Sequence, residues 1–165
     1  MILGFNEIGK EDVIKAGGKG ANLGEMVSAG INVPKGFVIT ADAYKEFLRI
    51  NSLNELLKDE LTKAGKDHTK LLKAAGKFRK MIKMGRLPEN TVNEVKSAYQ
   101  NLGDNILVAV RSSATAEDLS EASFAGQQES YLNIRGIDDV LDKIRDCYAS
   151  LWGNRAVIYR ANQNY

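Results

Sequence analysis

Cysteine, proline, tryptophan and histidine are scarce in this 165-residue sequence, which holds one Cys, two Pro, one Trp and one His. A single cysteine excludes a disulfide framework within the chain, and no set of Cys and His residues is available for a zinc site. Cys147 falls in the series Val140, Leu141, Ile144, Cys147, Tyr148 and Leu151, apolar at helical spacing, so it reads as a reduced core thiol rather than a nucleophile. The lone His68 sits in the hydrophilic connection Lys66-Asp67-His68-Thr69, with no Ser/His/Asp pattern around it. It reads as a surface residue without a catalytic or phosphocarrier role.

A charge excess of one sign is also lacking. The 23 basic and 21 acidic side chains leave a formal charge of +2, far from the basic bias of a general nucleic-acid binder, so any anion site must be local. The lysines between Lys58 and Arg86 (Lys63, Lys66, Lys70, Lys73, Lys77, Lys80 and Lys83 among them) lie mostly opposite an apolar stripe, with no interleaved aromatic platform. They read as a solvated helix exterior. No segment approaches the ~18 apolar residues of a membrane span, and Met1 to Glu7 has neither a charged leader nor a long apolar run. The expectation is a soluble, cytoplasmic protein without nucleic-acid or membrane partners. The closing Gln163-Asn164-Tyr165 carries no turn signal, which suggests a segment of a longer polypeptide.

What is present suffices for a core: 44% hydrophobic residues over this length predict one domain spanning residues 1–165. A short strand is expected around Phe5 to Ile8, then a glycine turn into a helix that Gly30 closes. Phe37 to Ile39 reads as a buried strand and Thr40 as the cap of a helix carrying Ala43, Tyr44, Phe47 and Leu48. Residues 52 to 102 read as a helical insertion: Ser52 and Glu55 form a capping-box pattern, Leu71, Leu72, Ala75, Phe78 and Ile82 repeat at helical spacing, and Pro88 opens a helix ended by Gly103. Ile106 to Val110 is a continuous β-favouring run expected to be buried on both faces, with Ser130 to Ile134 as its partner strand. A helix runs from Asp138 through Leu151. The fold class expected is α+β, a mixed sheet flanked by helices.

Two clusters can carry chemistry. Gly17-Gly18-Lys19-Gly20 opens a helix, where unpaired backbone N–H groups and the helix dipole favour an anion and Lys19 adds a mobile charge. The spacing fits neither a Walker A motif nor the dinucleotide fingerprint, and in isolation a tight turn with Lys19 in water explains the segment better. The second cluster, Arg111-Ser112-Ser113-Ala114-Thr115-Ala116-Glu117-Asp118, places a guanidinium and several hydroxyls directly after a strand. Arg111 can clamp a phosphate bidentately. Ser123-Phe124-Ala125-Gly126-Gln127-Gln128 offers small residues whose backbone could approach phosphates, or an ordinary hairpin turn. Glu117, Asp118 and Glu121 fit a solvated loop as well as a metal site, and none is taken as a ligand. No residue of the chain is taken as catalytic.

Read together, Gly-Gly-Lys-Gly-Ala-Asn-Leu-Gly-Glu-Met (17–26), Val-Pro-Lys-Gly-Phe-Val-Ile-Thr (33–40), Val-Arg-Ser-Ser-Ala-Thr-Ala-Glu-Asp-Leu (110–119), Ala-Ser-Phe-Ala-Gly-Gln-Gln-Glu (122–129) and Tyr-Leu-Asn-Ile-Arg-Gly (131–136) closely resemble the start of the phosphoenolpyruvate synthases. That family also includes pyruvate phosphate dikinase and the rifampin phosphotransferases. The resemblance runs from about Asn6 to Arg160 and implies the first lobe of an ATP-grasp nucleotide-binding domain. It further implies that Lys19 and Arg111 contact ATP phosphates, that Gly126 lies in the loop covering them and that Ser130 is another nucleotide contact.

The implied chemistry is phosphoryl transfer from ATP to a histidine on a swivelling domain, then to pyruvate on a third domain, with water taking the other phosphate and AMP remaining. The sequence lacks a second ATP-grasp lobe with its Mg2+-binding carboxylates, a phosphohistidine domain and a pyruvate-binding domain. ATP and Mg2+ are thus the implied cofactors, with metal ligands outside this chain, and those other domains are the implied partners. The isolated chain is expected to be inactive. An antibiotic phosphotransferase shares the Arg-Ser-Ser-Ala-Thr-Ala-Glu-Asp-Leu style of motif and stays open, as does a stand-alone, non-catalytic nucleotide-binding module.

Overall fold

The computed structural model describes residues 1–113, 130–154 and 157, together with the backbone of 118–119 and 122–123. The chain opens with strand β1 (Ile2–Gly4), followed by 3-10 turns at Phe5–Glu7 and Lys10–Asp12. The opening strand therefore precedes the Phe5 to Ile8 stretch expected from sequence. Strand β2 (Phe37–Ile39) pairs antiparallel with it, placing Ile2 opposite Ile39.

Between them runs helix α1 (Val13–Ser28), interrupted at Gly17, whose φ of 70° and ψ of 170° are not helical. Residues 13–16 form one turn, and a second helix starts immediately after the break. Its far end follows the expectation: Gly30, at φ 76°, donates to the Val27 carbonyl while Ile31 N–H donates to the Met26 carbonyl. This double closure satisfies the last carbonyls of the helix, and only a residue tolerant of positive φ permits it.

Helices α2 (Ala41–Ile50), α3 (Leu53–Ala64), α4 (His68–Met84), α5 (Glu89–Leu102) and α6 (Ile137–Ser150) supply most of the core. Apolar residues at helical spacing explain this: Phe47, Leu48, Ile82, Val95, Tyr99, Val140, Leu141 and Ile144 are buried in one cluster with Leu53, Leu87 and Ala149. Each such Leu, Ile or Phe is worth about 1.5–3 kcal/mol when withdrawn from water. Ala64, Leu71, Ala75 and Val157 form a second cluster against Leu61 and Trp152. Cys147 is buried on α6, as its apolar periodicity suggested. The eight lysines from Lys58 to Lys83 are all exposed, which is the solvated helix face read from the sequence.

Two local caps differ from expectation. Ser52 does cap α3 by position but adopts the left-handed conformation, φ 54°, and its side chain makes no capping bond. The Ser/Glu pattern is therefore present without the reciprocal bonds that define the box. Thr40 precedes α2 in an extended conformation, yet its hydroxyl makes no cap bond and is buried without a partner among the described residues. The working side-chain cap is Asp67, which accepts from Lys70 N–H at 3.2 Å and starts α4.

Strand β3 (Val108–Arg111) pairs antiparallel with β6 (Ser130–Ile134), so the two strands do share a sheet. A minimal pair, β4 (Asp118–Leu119) and β5 (Ala122–Ser123), lies in the stretch read as a polar loop. The α+β class holds, but in place of one mixed sheet the described residues form three two-stranded antiparallel sheets. Nor is β3 covered on both faces. Val108 and Val110 are half-buried toward the core, whereas Ala109 and Arg111 are exposed, as is Leu107 just before the strand. Alternation, not the continuous apolar run, decides which side chains reach the core.

Candidate nucleotide site

The break at Gly17 creates the site. An unbroken helix would pair its own backbone groups; here the turn before the break leaves the Ala16 carbonyl without its usual intrahelical donor, and the helix after it begins with N–H groups lacking intrahelical partners. Both needs are met from the end of β3. Ser113 Oγ donates to the Ala16 carbonyl at 2.8 Å and accepts from Gly20 N–H at 3.1 Å. Hence the helix opening is not wholly free for an anion, as the sequence alone suggested: Gly20 N–H is already engaged.

Glycine is required for this approach. A Cβ at Gly17 would stand 1.7 Å from the Ser113 carbonyl oxygen, and one at Gly24 would stand 2.1 Å from the Ile8 carbonyl oxygen. At Gly20 a Cβ would lie 3.1 Å from a Val38 methyl of β2. Gly17, Gly18 and Gly20 are themselves buried. The helix is therefore seated on backbone at Gly17 and Gly24 and against a Val38 methyl at Gly20, with its first turn fixed just past the β3 exit.

Lys19 projects from that first turn and is half-buried; its Nζ donates to the Ser112 carbonyl at 3.1 Å. Ser112 follows Arg111, so the glycine cluster and the Arg-Ser-Ser cluster, more than ninety residues apart in sequence, meet in space. Arg111 and Ser130 are register partners at the end of the β3–β6 pair where β3 exits and β6 begins, both exposed, and opposed residues of an antiparallel pair project from one open face. Leu132, 59% exposed, and Leu107, 52% exposed, extend that same open side away from the polar end. Gly126 lies outside the described residues, as do Thr115, Glu117 and Glu121.

The hairpin is held at its other end by Tyr99 of α5. Its Oη donates to the Ile106 carbonyl at 2.6 Å and accepts from Gly136 N–H at 3.0 Å, tying together the chain just before β3 and just after β6. By sequence alone Tyr99 is one more apolar position at helical spacing, and no local pattern marks its hydroxyl. Ser113 is one of several hydroxyls in its cluster, and its partners lie so far upstream that no local pattern marks it. His68 is the exposed first residue of α4. Among the described residues, no group of three His, Cys, Asp or Glu side chains could hold a metal ion. No helix of the described residues is long and apolar enough to cross a membrane.

Residues 13–165 match the protein family described as "Pyruvate phosphate dikinase, AMP/ATP-binding domain". The chain belongs to this family. Among curated proteins, it is 44% identical over 203 residues to the probable phosphoenolpyruvate synthase of Pyrococcus abyssi, which covers 100% of this chain and 25% of that protein. It is 47% identical over 167 residues to the probable phosphoenolpyruvate synthase of Methanothermobacter thermautotrophicus, with coverage of 98% and 24%. Identity to the phosphoenolpyruvate synthase of Escherichia coli is 42% over 173 residues, covering 100% of the chain and 22% of that enzyme. The chain thus spans about a quarter of the length of the relatives it matches.

Proposed function

We propose that this chain is the ATP-binding part of a phosphoenolpyruvate synthase, a cytoplasmic dikinase that converts ATP, pyruvate and water to AMP, phosphoenolpyruvate and phosphate. The observation that carries the reading is the contact of Lys19 Nζ with the Ser112 carbonyl, which sets a lysine at a helix N-terminus beside the strand end that bears Arg111. Two cations flanking a helix opening suit a polyphosphate: the dipole, the ammonium and the planar guanidinium each stabilise negative charge. The names of the similar proteins support phosphoenolpyruvate synthase over an antibiotic phosphotransferase or a non-catalytic module.

In this reading residues 1–165 act as one unit, the first lobe of an ATP-grasp domain, with the helices of 52–102 inserted in it. Lys19 and Arg111 neutralise the phosphates, Ser130 adds a hydrogen bond to the nucleotide beside Arg111, and Gly126 belongs to the segment that covers the phosphates. Phosphoryl transfer depends on position and on charge neutralisation more than on covalent chemistry by the protein. This lobe would therefore orient ATP, while Mg2+ ligands, the phosphohistidine and the pyruvate site come from the rest of the longer polypeptide.

The test is an amide-resonance titration of the 165-residue chain with Mg·ATP, repeated with Lys19→Ala and Arg111→Ala. The expected outcome is a set of shifts at residues 17–20, 111–113 and 130, with a Kd of ~1 mM, about −4 kcal/mol, that weakens in both variants. Scattered shifts, or variants that bind as the unaltered chain does, would remove the site. The reaction itself is tested on the longer polypeptide by pyruvate-dependent formation of AMP and phosphoenolpyruvate.

A further inference from the structure

We infer that Ser113 is a positioning residue for the nucleotide site, an inference that rests on the ATP-binding reading given above. Its hydroxyl splints the broken helix: one oxygen donates to the last carbonyl before the Gly17 break and accepts the Gly20 N–H after it. A hydroxyl is the smallest side-chain group able to do both at once, having one donor and two acceptor lone pairs. Neither bond is local. Ser113 reaches both backbone groups from the end of β3, so the splint is also the weld between the lysine-bearing helix and the arginine-bearing strand.

The geometry gives this weld a specific consequence. Gly17 is pressed so closely on the Ser113 backbone that no side chain fits, and Lys19 Nζ lies on the carbonyl of the preceding Ser112. With the Ser113 hydroxyl in place, the first turn of the helix has one position relative to Arg111, and Lys19 and Arg111 present their charges together. Without it, the Ala16 carbonyl and the Gly20 N–H are left unpaired at a half-buried junction, and the helix start can re-form its bonds only by moving. Gly20 N–H is then also released to compete for the anion. Ser113 therefore acts on the ligand through Lys19, without being required to touch it.

Two measurements on the 165-residue chain test this, one without nucleotide and one with it. In Ser113→Ala, hydrogen exchange at Gly20 is expected to accelerate by about tenfold or more, the loss of one hydrogen bond, while buried α4 amides such as that of Phe78 keep their rates. The Kd for Mg·ATP is expected to rise about five- to tenfold, Ser113→Thr to restore both quantities, and Ser113→Ala to have little further effect in a Lys19→Ala background. Unchanged Gly20 exchange overturns the splint. Faster exchange with an unaltered Kd, or acceleration spread through α4, overturns the positioning role and leaves a structural serine. If the unaltered chain does not bind Mg·ATP, or Lys19→Ala and Arg111→Ala bind normally, the nucleotide reading fails and the positioning role with it, while Gly20 exchange still reports whether the splint exists.

Discussion

The Ser113 carbonyl oxygen occupies the space where Gly17 would carry a side chain, 1.7 Å from an ideal Cβ. Gly17 also holds φ at 70°, so alanine there is opposed twice, by its own backbone conformation and by the Ser113 backbone just past β3, which cannot swing away as a flexible side chain could. Gly17→Ala is expected to cost about 2 kcal/mol or more, the range of a strained backbone position. Melting should fall by about 2–4 °C for each kcal/mol lost in a chain of this size. A Gly17→Ala chain that melts with the unaltered one would mean that the helix start does not rest on the Ser113 backbone.

Tyr99 closes the opposite end of the same hairpin. Phenylalanine in its place keeps the buried ring and strands two backbone groups, the Ile106 carbonyl and the Gly136 N–H. The expected cost of Tyr99→Phe is about 2 kcal/mol, one buried orphan being worth about 1–3 kcal/mol. Urea midpoints measure it. An unchanged midpoint would mean that water replaces the phenol without loss.

At Arg111 the distinction is between charge and shape. Arg111 is exposed at the strand end, and lysine keeps the charge while losing the planar fork. If a phosphate is gripped bidentately, Arg111→Lys should recover less than half of the binding free energy that Arg111→Ala loses, and calorimetric titration with Mg·ATP measures this directly. Full recovery by lysine would reduce Arg111 to a source of field. His68→Ala, at an exposed helix start, should alter neither nucleotide binding nor stability beyond about 0.5 kcal/mol.

Helical segments were legible because each carries a repeat that names its own buried face: Ala43 with Phe47, Leu71 with Ala75, Phe78 and Ile82, and Val140 with Leu141 and Ile144. Gly30 was legible because a helix end is a local event with a local residue requirement. What sequence could not give depends on partners remote in the chain. The Gly-rich turn was visible, but not that residues 13–16 are already helical before it, nor that Ser113, 97 residues away from Ala16, completes the break. The run from Ile106 to Val110 offers no local sign of which face is covered, since that is fixed by where α6 packs; hence Leu107 and Ala109 were wrongly expected in the core. Ser52 fails as a box because the chain must turn sharply out of α2, and the left-handed conformation takes precedence over the cap bond.

Tyr148 sits in the core with its ring against Tyr44, centroids 4.9 Å apart, and Phe47, 5.3 Å apart. Its hydroxyl is buried and has no hydrogen-bond partner among the described residues. Burial, then the neighbouring Tyr44 and Cys147, pushes its pKa well above that of an ordinary phenol. The unfolded chain therefore gives up the Tyr148 proton first, near pH 10, while the folded chain retains it. The stability linked to this neutral phenol is complete below about pH 10 and declines as the pH rises further. Phenylalanine removes both the titration and the unpartnered oxygen. Tyr148→Phe is expected to leave stability at neutral pH unchanged or to raise it by about 1 kcal/mol, and to make the alkaline decline shallower than in the unaltered chain. Thermal melts from pH 7 to 11 on the two proteins decide it: a loss of more than about 1 kcal/mol at pH 7 would mean that the hydroxyl is hydrogen-bonded after all, and parallel alkaline curves would mean that Tyr148 titrates as an ordinary tyrosine.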